Sequence, residues 1–201
     1  MNSFPKADVL AACAQYGPQL NLVTTAGADG TPLDGIRLMI AISFNESTFG
    51  ANCGPRHEPA YDNGGSYATG GQIALLSTYG SAAACSYGPW QMMFGNFVNA
   101  TPTQLLTSLD ACAQQFVRFF NSYVIHGHHA ASISDIGQIW NGGHVSANPS
   151  PGVMAYCTKL QTAYDQAVAP PPAPVPAPPA APAPAAVDGD AGPSLEGQEL
   201  P

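Results

Sequence analysis

Residues 31–50 read TPLDGIRLMIAISFNESTFG, and this stretch decides the fold. Residues 31–34 offer a threonine suited to a helix N-cap, a proline for the first turn and an acid at the third position. The run at 38–44 is almost entirely apolar and predicts a buried helix. Glu46 comes just after this run, so the helix is expected to carry a carboxylate to the edge of the core.

Glu46 is the most informative residue of the chain. Before the proline-rich tail, the only other glutamate is Glu58. Desolvation of a carboxyl group at the end of an apolar helix favours its neutral form. We therefore expect Glu46 to be a proton donor near neutral pH, as the general acid of a glycosidase is.

The composition divides the chain into a folded part and a tail. Of the 201 residues, 45% are hydrophobic and 9% are charged, and the formal net charge is −8. We expect one domain at 1–168 and a disordered, Pro/Ala-rich, acidic tail or tether at 169–201. When the four acidic residues of the tail are set aside, nine acidic residues stand against five basic ones, a formal charge of −4.

This composition argues against two classes of partner. The folded part has no basic patch to neutralise phosphates, so nucleic acid is not expected to bind. No apolar stretch approaches the ~20 residues of a membrane helix, so membrane insertion is not expected. The amino terminus also lacks the pattern of a secretory signal.

Capping and helix-breaking signals along the chain predict a mainly α fold of six or seven helices, with no convincing sheet. A long Gly/Pro-rich loop over 52–71 separates the helix of Glu46 from the next one. The other predicted helices run from Ser3 to the Gly17-Pro18 break, over 72–79, from Thr101 to about Val124, from Ser132 to Gly142-Gly143, and from Ser150 until Pro170.

The cysteines and histidines do not have the spacing of a metal site. The chain has five cysteines and no CxxC pair. Cys13, Cys112 and Cys157 fall in helical runs and are expected to be buried free thiols. Cys53 and Cys85 bracket a glycine-rich segment and could be bridged if the final compartment is oxidising. His126, His128 and His129 have no neighbouring acid or thiol, so we expect no metal and no cofactor.

Four short motifs follow one another over residues 33–165. They are ISFNESTF at 42–49, GPWQMM at 88–93, WNGG at 140–143 and YCTKL at 156–160, with HEPAY at 57–61 between the first two. In sequence and order they resemble the ES-x-F, G-L-M-Q-I, Y-N-x-G and Y-V-x-K-V motifs of soluble lytic transglycosylases and goose-type lysozymes. The chain departs from that pattern at Trp140, where tyrosine is usual, at Pro89-Trp90, and in the long insertion after Glu46.

The resemblance implies a lysozyme-like domain that cleaves the MurNAc-GlcNAc β-1,4 bond of peptidoglycan glycan strands. In a lytic transglycosylase Glu46 would act first as acid and then as base, and the product would end in 1,6-anhydro-MurNAc. A hydrolytic lysozyme would instead need Glu58 or Asp62 as a second carboxylate. The positions that match the family's cleft are the expected substrate contacts: Ser47, Glu58, Tyr87, Trp90, Gln91, Met92, Asn141 and Tyr156.

Several of these residues have a structural alternative. The structural alternative for Glu58 is an anchor held by Arg56, that for Asp62 is a turn residue, and that for Trp90 and Tyr87 is a buried aromatic. Tyr156 is on an amphipathic helix, where a tyrosine is commonly core, and Asn141 is at a helix end.

Two other protein classes fit parts of the sequence. One is a cysteine peptidase or amidase of the cell wall that uses Cys53 or Cys85 with a histidine. The other is a non-catalytic glycan-binding or virion structural protein on the same scaffold. For the enzyme, action in the periplasm or cell wall after phage delivery or from a virion is expected, with the Pro/Ala tail as a tether to a virion or wall partner.

Overall fold

The computed structural model of the protein describes residues 3–22, 30–94 and 100–168. Over these ranges the fold is mainly α, as the sequence predicts. The predicted tail at 169–201 lies outside the described residues. The described α-helices are α1 (Lys6–Tyr16), α2 (Gly35–Ser47), α3 (Gly70–Tyr79), α4 (Pro102–Thr107), α5 (Leu109–Phe119), α6 (Ile133–Gly142) and α7 (Pro151–Gln166).

Helix α2 carries the apolar run and lies at the centre of the core. Residues 38–43 are all buried, and the helix packs against α1 and α7. The predicted N-cap at Thr31 is wrong, because the helix begins three residues later than expected. The Asp34 side chain caps it, accepting hydrogen bonds from the backbone of Ile36 at 2.8 Å and Arg37 at 3.1 Å.

A small antiparallel sheet corrects the prediction that the fold has no sheet. Its strands are β1 (Arg56–His57), β2 (Cys85–Tyr87) and β3 (Met92–Met93), in the order β1-β2-β3. Arg56 is opposite Ser86, and Tyr87 is opposite Met92. Strands of two or three residues are too short for an alternating pattern to appear in the sequence.

The predicted helix over 101–124 is divided into three parts. Thr101 caps α4 with a capping box, as expected, but the backbone of Ser108 is extended and separates α4 from α5. The Ser108 hydroxyl then caps α5 by accepting from the backbone of Ala111 at 3.1 Å. A π-helix follows at Phe120–Gly127. The helices that begin after Ser132 and Ser150 are confirmed, with both serines as N-caps.

All five cysteines are buried free thiols, so no bridge joins Cys53 and Cys85. The Cys53 sulfur lies 3.1 Å from the carbonyl of Gly50, and the Cys85 sulfur lies 3.4 Å from that of Ser81. Each thiol is thus turned toward a nearby carbonyl. In the part of the chain that the structure describes, every helix falls short of the length and apolar character of a membrane span.

Candidate active site

A groove of about 880 Å³ opens beside the end of α2. The small sheet forms one part of its wall, the segment from Glu58 into α3 forms another, and the ends of α5 and α6 form the third. The residues that line this groove include Glu46, Arg56, Glu58, Tyr61, Tyr67, Thr69, Ser86, Gln91, Met92, Phe119, Tyr123, Trp140 and Asn141.

The Glu46 side chain is only 8% exposed and is held by three donors from three elements. Its Oε1 accepts a hydrogen bond from the Tyr156 hydroxyl at 2.7 Å and another from Trp140 Nε1 at 3.1 Å. Its Oε2 lies 3.5 Å from Arg56 Nη1. The two carboxyl oxygens therefore have different surroundings, with two neutral donors on Oε1 and a guanidinium near Oε2.

Burial raises the pKa of Glu46 above its ordinary value. The hydrogen bond from Tyr156, the charge of Arg56 and the hydrogen bond from Trp140 oppose this shift without cancelling it. Burial and the neighbouring carboxylate also raise the pKa of Tyr156, so its hydroxyl keeps its proton. The arrangement favours the neutral acid and still offers partners to the carboxylate once the proton has left.

Arg56 joins Glu46 to the second glutamate of the groove. Its Nε donates to Glu58 Oε1 at 2.7 Å, a shorter contact than the one to Glu46. Ser86 Oγ lies 3.3 Å from the same Glu58 oxygen and 3.1 Å from Gln91 Oε1. Arg56 thus anchors Glu58, as the structural alternative for this residue predicts. Glu58 also lines the groove.

Ser47 and Gln91 are part of the support behind Glu46. Ser47 is 2% exposed, and its hydroxyl lies 2.7 Å from the carbonyl of Pro89 and accepts from the backbone of Gly50 at 2.8 Å. The side-chain amide of Gln91 donates to the carbonyl of Gly88 at 3.0 Å. These bonds tie the end of α2 to the turn between β2 and β3, and they occupy groups that were expected to face a sugar.

Trp90 and Tyr87 lie in the core, so the expectation that they present ring faces to a sugar disagrees with their burial. Trp90 is 1% exposed, donates from Nε1 to the carbonyl of Met39 at 3.1 Å and packs on Phe116. Tyr87 is 3% exposed and donates to the carbonyl of Ala82 at 2.8 Å. Their apolar surface stabilises the fold instead.

The other expected site residues are divided between the groove and its surroundings. Met92 and Asn141 line the groove, with Asn141 exposed at the end of α6. Tyr156 is half-buried and turns its hydroxyl to Glu46. Asp62 does not line the groove and pairs with His57 Nε2 at 2.9 Å.

Comparison of the chain with protein-family models, with curated proteins and with solved structures finds no match in any of the three.

The thiols and histidines give no second site. Burial raises the pKa of every cysteine, to about 12 for Cys13 and Cys112. A nucleophilic cysteine needs a thiolate, and no cysteine lines the groove, so the cysteine peptidase or amidase alternative loses its support. Within the described ranges no cluster of three or more His, Cys, Asp or Glu side chains could hold a metal ion.

The sequence did not identify Arg56 and Trp140 as donors to Glu46. It also did not identify the exposed rings of Tyr67 and Tyr123 as part of the groove. Trp140 lies within the WNGG motif and Arg56 directly precedes the HEPAY motif, so both could be selected as site candidates from the sequence. Tyr67 and Tyr123 lie outside every motif, and only the fold brings them into the groove that Glu46 lines.

Replacing Ser47 with alanine should lower the free energy of unfolding by about 1–3 kcal/mol, because a buried carbonyl and a buried amide each lose a partner. Ser77→Ala is the matched control, since Ser77 is exposed and bonds only the carbonyl of Ile73 within α3. A change within about 0.5 kcal/mol is expected there. Urea denaturation of both variants makes the comparison, and equal effects would contradict the support role of Ser47.

Proposed function

We propose that this protein is a peptidoglycan-cleaving muramidase with a lysozyme-like domain, most simply a lytic transglycosylase. The observation that carries the proposal is the setting of Glu46, a carboxyl group with a raised pKa, held by Tyr156 and Trp140 beside a groove of about 880 Å³. The motif resemblance supports the same substrate, the MurNAc-GlcNAc β-1,4 bond.

The hydrogen bonds indicate which oxygen carries the acidic proton. Because the Tyr156 hydroxyl and Trp140 Nε1 both donate to Oε1, that oxygen is an acceptor. The proton of the neutral acid therefore belongs on Oε2. From there it passes to the glycosidic oxygen as the bond from that oxygen to the anomeric carbon breaks, leaving an oxocarbenium-like centre and a Glu46 carboxylate.

The carboxylate then acts as the base. The muramyl 6-hydroxyl attacks the anomeric carbon and gives its proton back to Glu46, which closes the 1,6-anhydro ring and restores the acid. Arg56, 3.5 Å from Oε2, stabilises the carboxylate between the two steps. Its shorter bond to Glu58 keeps the guanidinium in place while Glu46 is neutral.

One observation keeps a hydrolytic lysozyme as the second candidate. Glu58 lines the groove on the Oε2 side of Glu46 and is 30% exposed, so it could position a water molecule. Its contacts with Arg56 and Ser86 favour the transglycosylase, because both are made to Oε1 and already occupy an oxygen that would otherwise hold the water.

Product analysis tests the proposal. Purified peptidoglycan is digested with the full chain and the fragments are measured by mass spectrometry. A transglycosylase releases ends that are one water lighter than the hydrolytic products, and Glu58→Gln should retain most of that activity. Hydrolytic ends that disappear in Glu58→Gln would establish the lysozyme instead. Glycan binding without cleavage, on several wall types, would leave a non-catalytic binder or virion protein.

The expected setting of this activity is the periplasm or cell wall, reached from a virion or after phage delivery, and the Pro/Ala tail at 169–201 would tether the domain to a virion or wall partner. These assignments rest on the same proposal.

A further inference from the structure

Two pairs of aromatic side chains line the groove, and of these four residues only Tyr61 lies in a recognised motif. One pair is Tyr61 and Tyr67, whose ring centroids are 5.1 Å apart. The other is Phe119 and Tyr123, stacked at 5.1 Å with an interplanar angle of 16°. Tyr67 is 53% exposed and Tyr123 is 38% exposed, which is unusual for rings at the wall of a groove that also contains a buried acid.

The segment that carries Tyr67 is folded tightly on itself. The backbone of Tyr67 donates to the carbonyl of Ala60 at 2.8 Å, and Gln72 Nε2 donates to the carbonyl of Tyr61 at 3.0 Å. A Cβ on Gly65 would come within 2.4 Å of the Ala60 carbonyl oxygen, so this close approach requires glycine. The exposed ring is therefore presented by a segment with little freedom to collapse.

Tyr123 lies on the part of the wall that the ends of α5 and α6 form, and its own contacts hold it there. Its hydroxyl donates to the carbonyl of Gly143 at 3.0 Å, and its ring packs on Phe119, which in turn meets Trp140 edge-on at 5.4 Å. Tyr123 belongs to the π-helix at Phe120–Gly127, a rare helix type that is frequently found at functional sites.

The contacts of Glu46 separate the two pairs. From Oε1 the contacts run through Trp140 to Phe119 and Tyr123. From Oε2 they run through Arg56 to Glu58, the residue directly before the segment of Tyr61 and Tyr67. The two exposed rings are thus connected to the acid through different carboxyl oxygens.

We propose that Tyr67 and Tyr123 are stacking platforms for two sugar rings of a glycan strand, one on each side of the bond that Glu46 protonates. The apolar C–H face of a pyranose packs on an aromatic face, and a fixed ring loses little conformational entropy when the sugar binds. Thr69 and Asn141, both exposed along the same groove, offer neutral polar groups to the sugar hydroxyls and acetamides. This inference rests on the proposed function and adds how the strand is held.

Binding of defined oligomers tests the platforms. Peptide-free MurNAc-GlcNAc oligomers of two, four and six sugars are titrated by calorimetry into full-length Glu46→Gln protein, which should bind without turnover. Tyr67→Ala and Tyr123→Ala, each added to that variant, should weaken binding of the hexasaccharide about fivefold to tenfold. The effect on the disaccharide should be smaller for at least one of them, because a short ligand cannot reach both rings.

Matched controls separate stacking from folding and from the hydroxyl groups. Tyr67→Phe keeps the ring and should lose less affinity than Tyr67→Ala. Tyr123→Phe also loses the hydrogen bond to the Gly143 carbonyl, so its affinity should lie between those of the parent and Tyr123→Ala. Phe44→Ala removes an exposed aromatic that does not line the groove and should leave affinity unchanged. Thermal melts of each variant identify any that do not fold.

The outcomes distinguish this inference from the proposed function. If the unmodified chain cleaves peptidoglycan but both alanine variants bind the hexasaccharide as tightly as the parent, the platforms are refuted and the enzyme stands. If oligomers bind with the expected dependence on both rings but the unmodified chain cleaves nothing, the platforms stand and the enzyme is refuted. An absence of binding to any oligomer overturns the platforms, and an absence of peptidoglycan cleavage as well overturns both.

Discussion

Glu46→Gln is expected to reduce the rate of peptidoglycan cleavage by at least about 10²–10⁴-fold, because an amide has no acidic proton to donate. Glutamine keeps an oxygen where Oε1 accepts from Tyr156 and Trp140, so the fold and glycan binding should persist. Turbidity clearing of purified peptidoglycan measures the rate. Asp8→Asn is the matched control, because it makes the same change of carboxylate to amide at an exposed residue that does not line the groove.

The same substitution should change the dependence on pH. Since burial raises the folded pKa of Glu46 above 4.5, the folded state holds this proton over a range in which the unfolded chain has lost it. The resulting stability is fully present below the unfolded pKa and is lost as pH rises through the folded pKa. Glu46→Gln removes this loss, so its Tm should fall less than that of the unmodified chain over that range.

Activity of the unmodified chain should decline as pH rises through the same folded pKa, because the acid form is the one that donates. A Glu46→Gln chain that clears peptidoglycan at a rate close to the unmodified one would refute Glu46 as the general acid. A Tm that depends on pH equally in both chains would show that Glu46 is not held neutral.

Trp90→Ala should lower the free energy of unfolding by about 3–5 kcal/mol, the usual cost of removing a large aromatic from a core. Trp90 is 1% exposed and packs on Phe116, next to the helix that carries Glu46. Urea denaturation measures the loss. Phe44→Ala is a useful comparison, because Phe44 is 43% exposed and should cost far less.

The alternative for Trp90 gives the opposite pattern. If this residue were a sugar contact, its removal would leave stability nearly unchanged and would weaken glycan binding in the folded protein. That result would contradict the core position described above.

Much of the helical framework could be predicted because its signals are local. Ser132 and Ser150 cap their helices where the sequence indicates, and Thr101 forms the expected capping box. The extended backbone at Ser108 could not be predicted in the same way, since it interrupts an otherwise continuous helical pattern. The strands were missed because pairing between distant segments, such as Arg56 with Ser86, leaves no trace in a two-residue stretch.

The candidate site likewise contains residues that the sequence could identify and residues whose surroundings it could not. Glu46 could be found because it is one of two glutamates before the tail and follows an apolar run, and the structure describes it as buried beside a groove. The environment of Trp90 and Gln91 could not be found, since a motif gives residue order but not which side of a turn faces the groove. The sequence indicates Arg56 only as an anchor for Glu58. Its approach to Glu46 could not be predicted, because it depends on the position of strand β1 in the folded sheet.

The five free thiols have a practical consequence for studying this protein. Each is buried and poorly ionised, so alkylating reagents should react slowly with the folded chain. A cysteine introduced at an exposed site such as Ser66 would then be the fast-reacting one. Spectroscopic probes could be attached there to follow the segment of Tyr67 without removing any native cysteine.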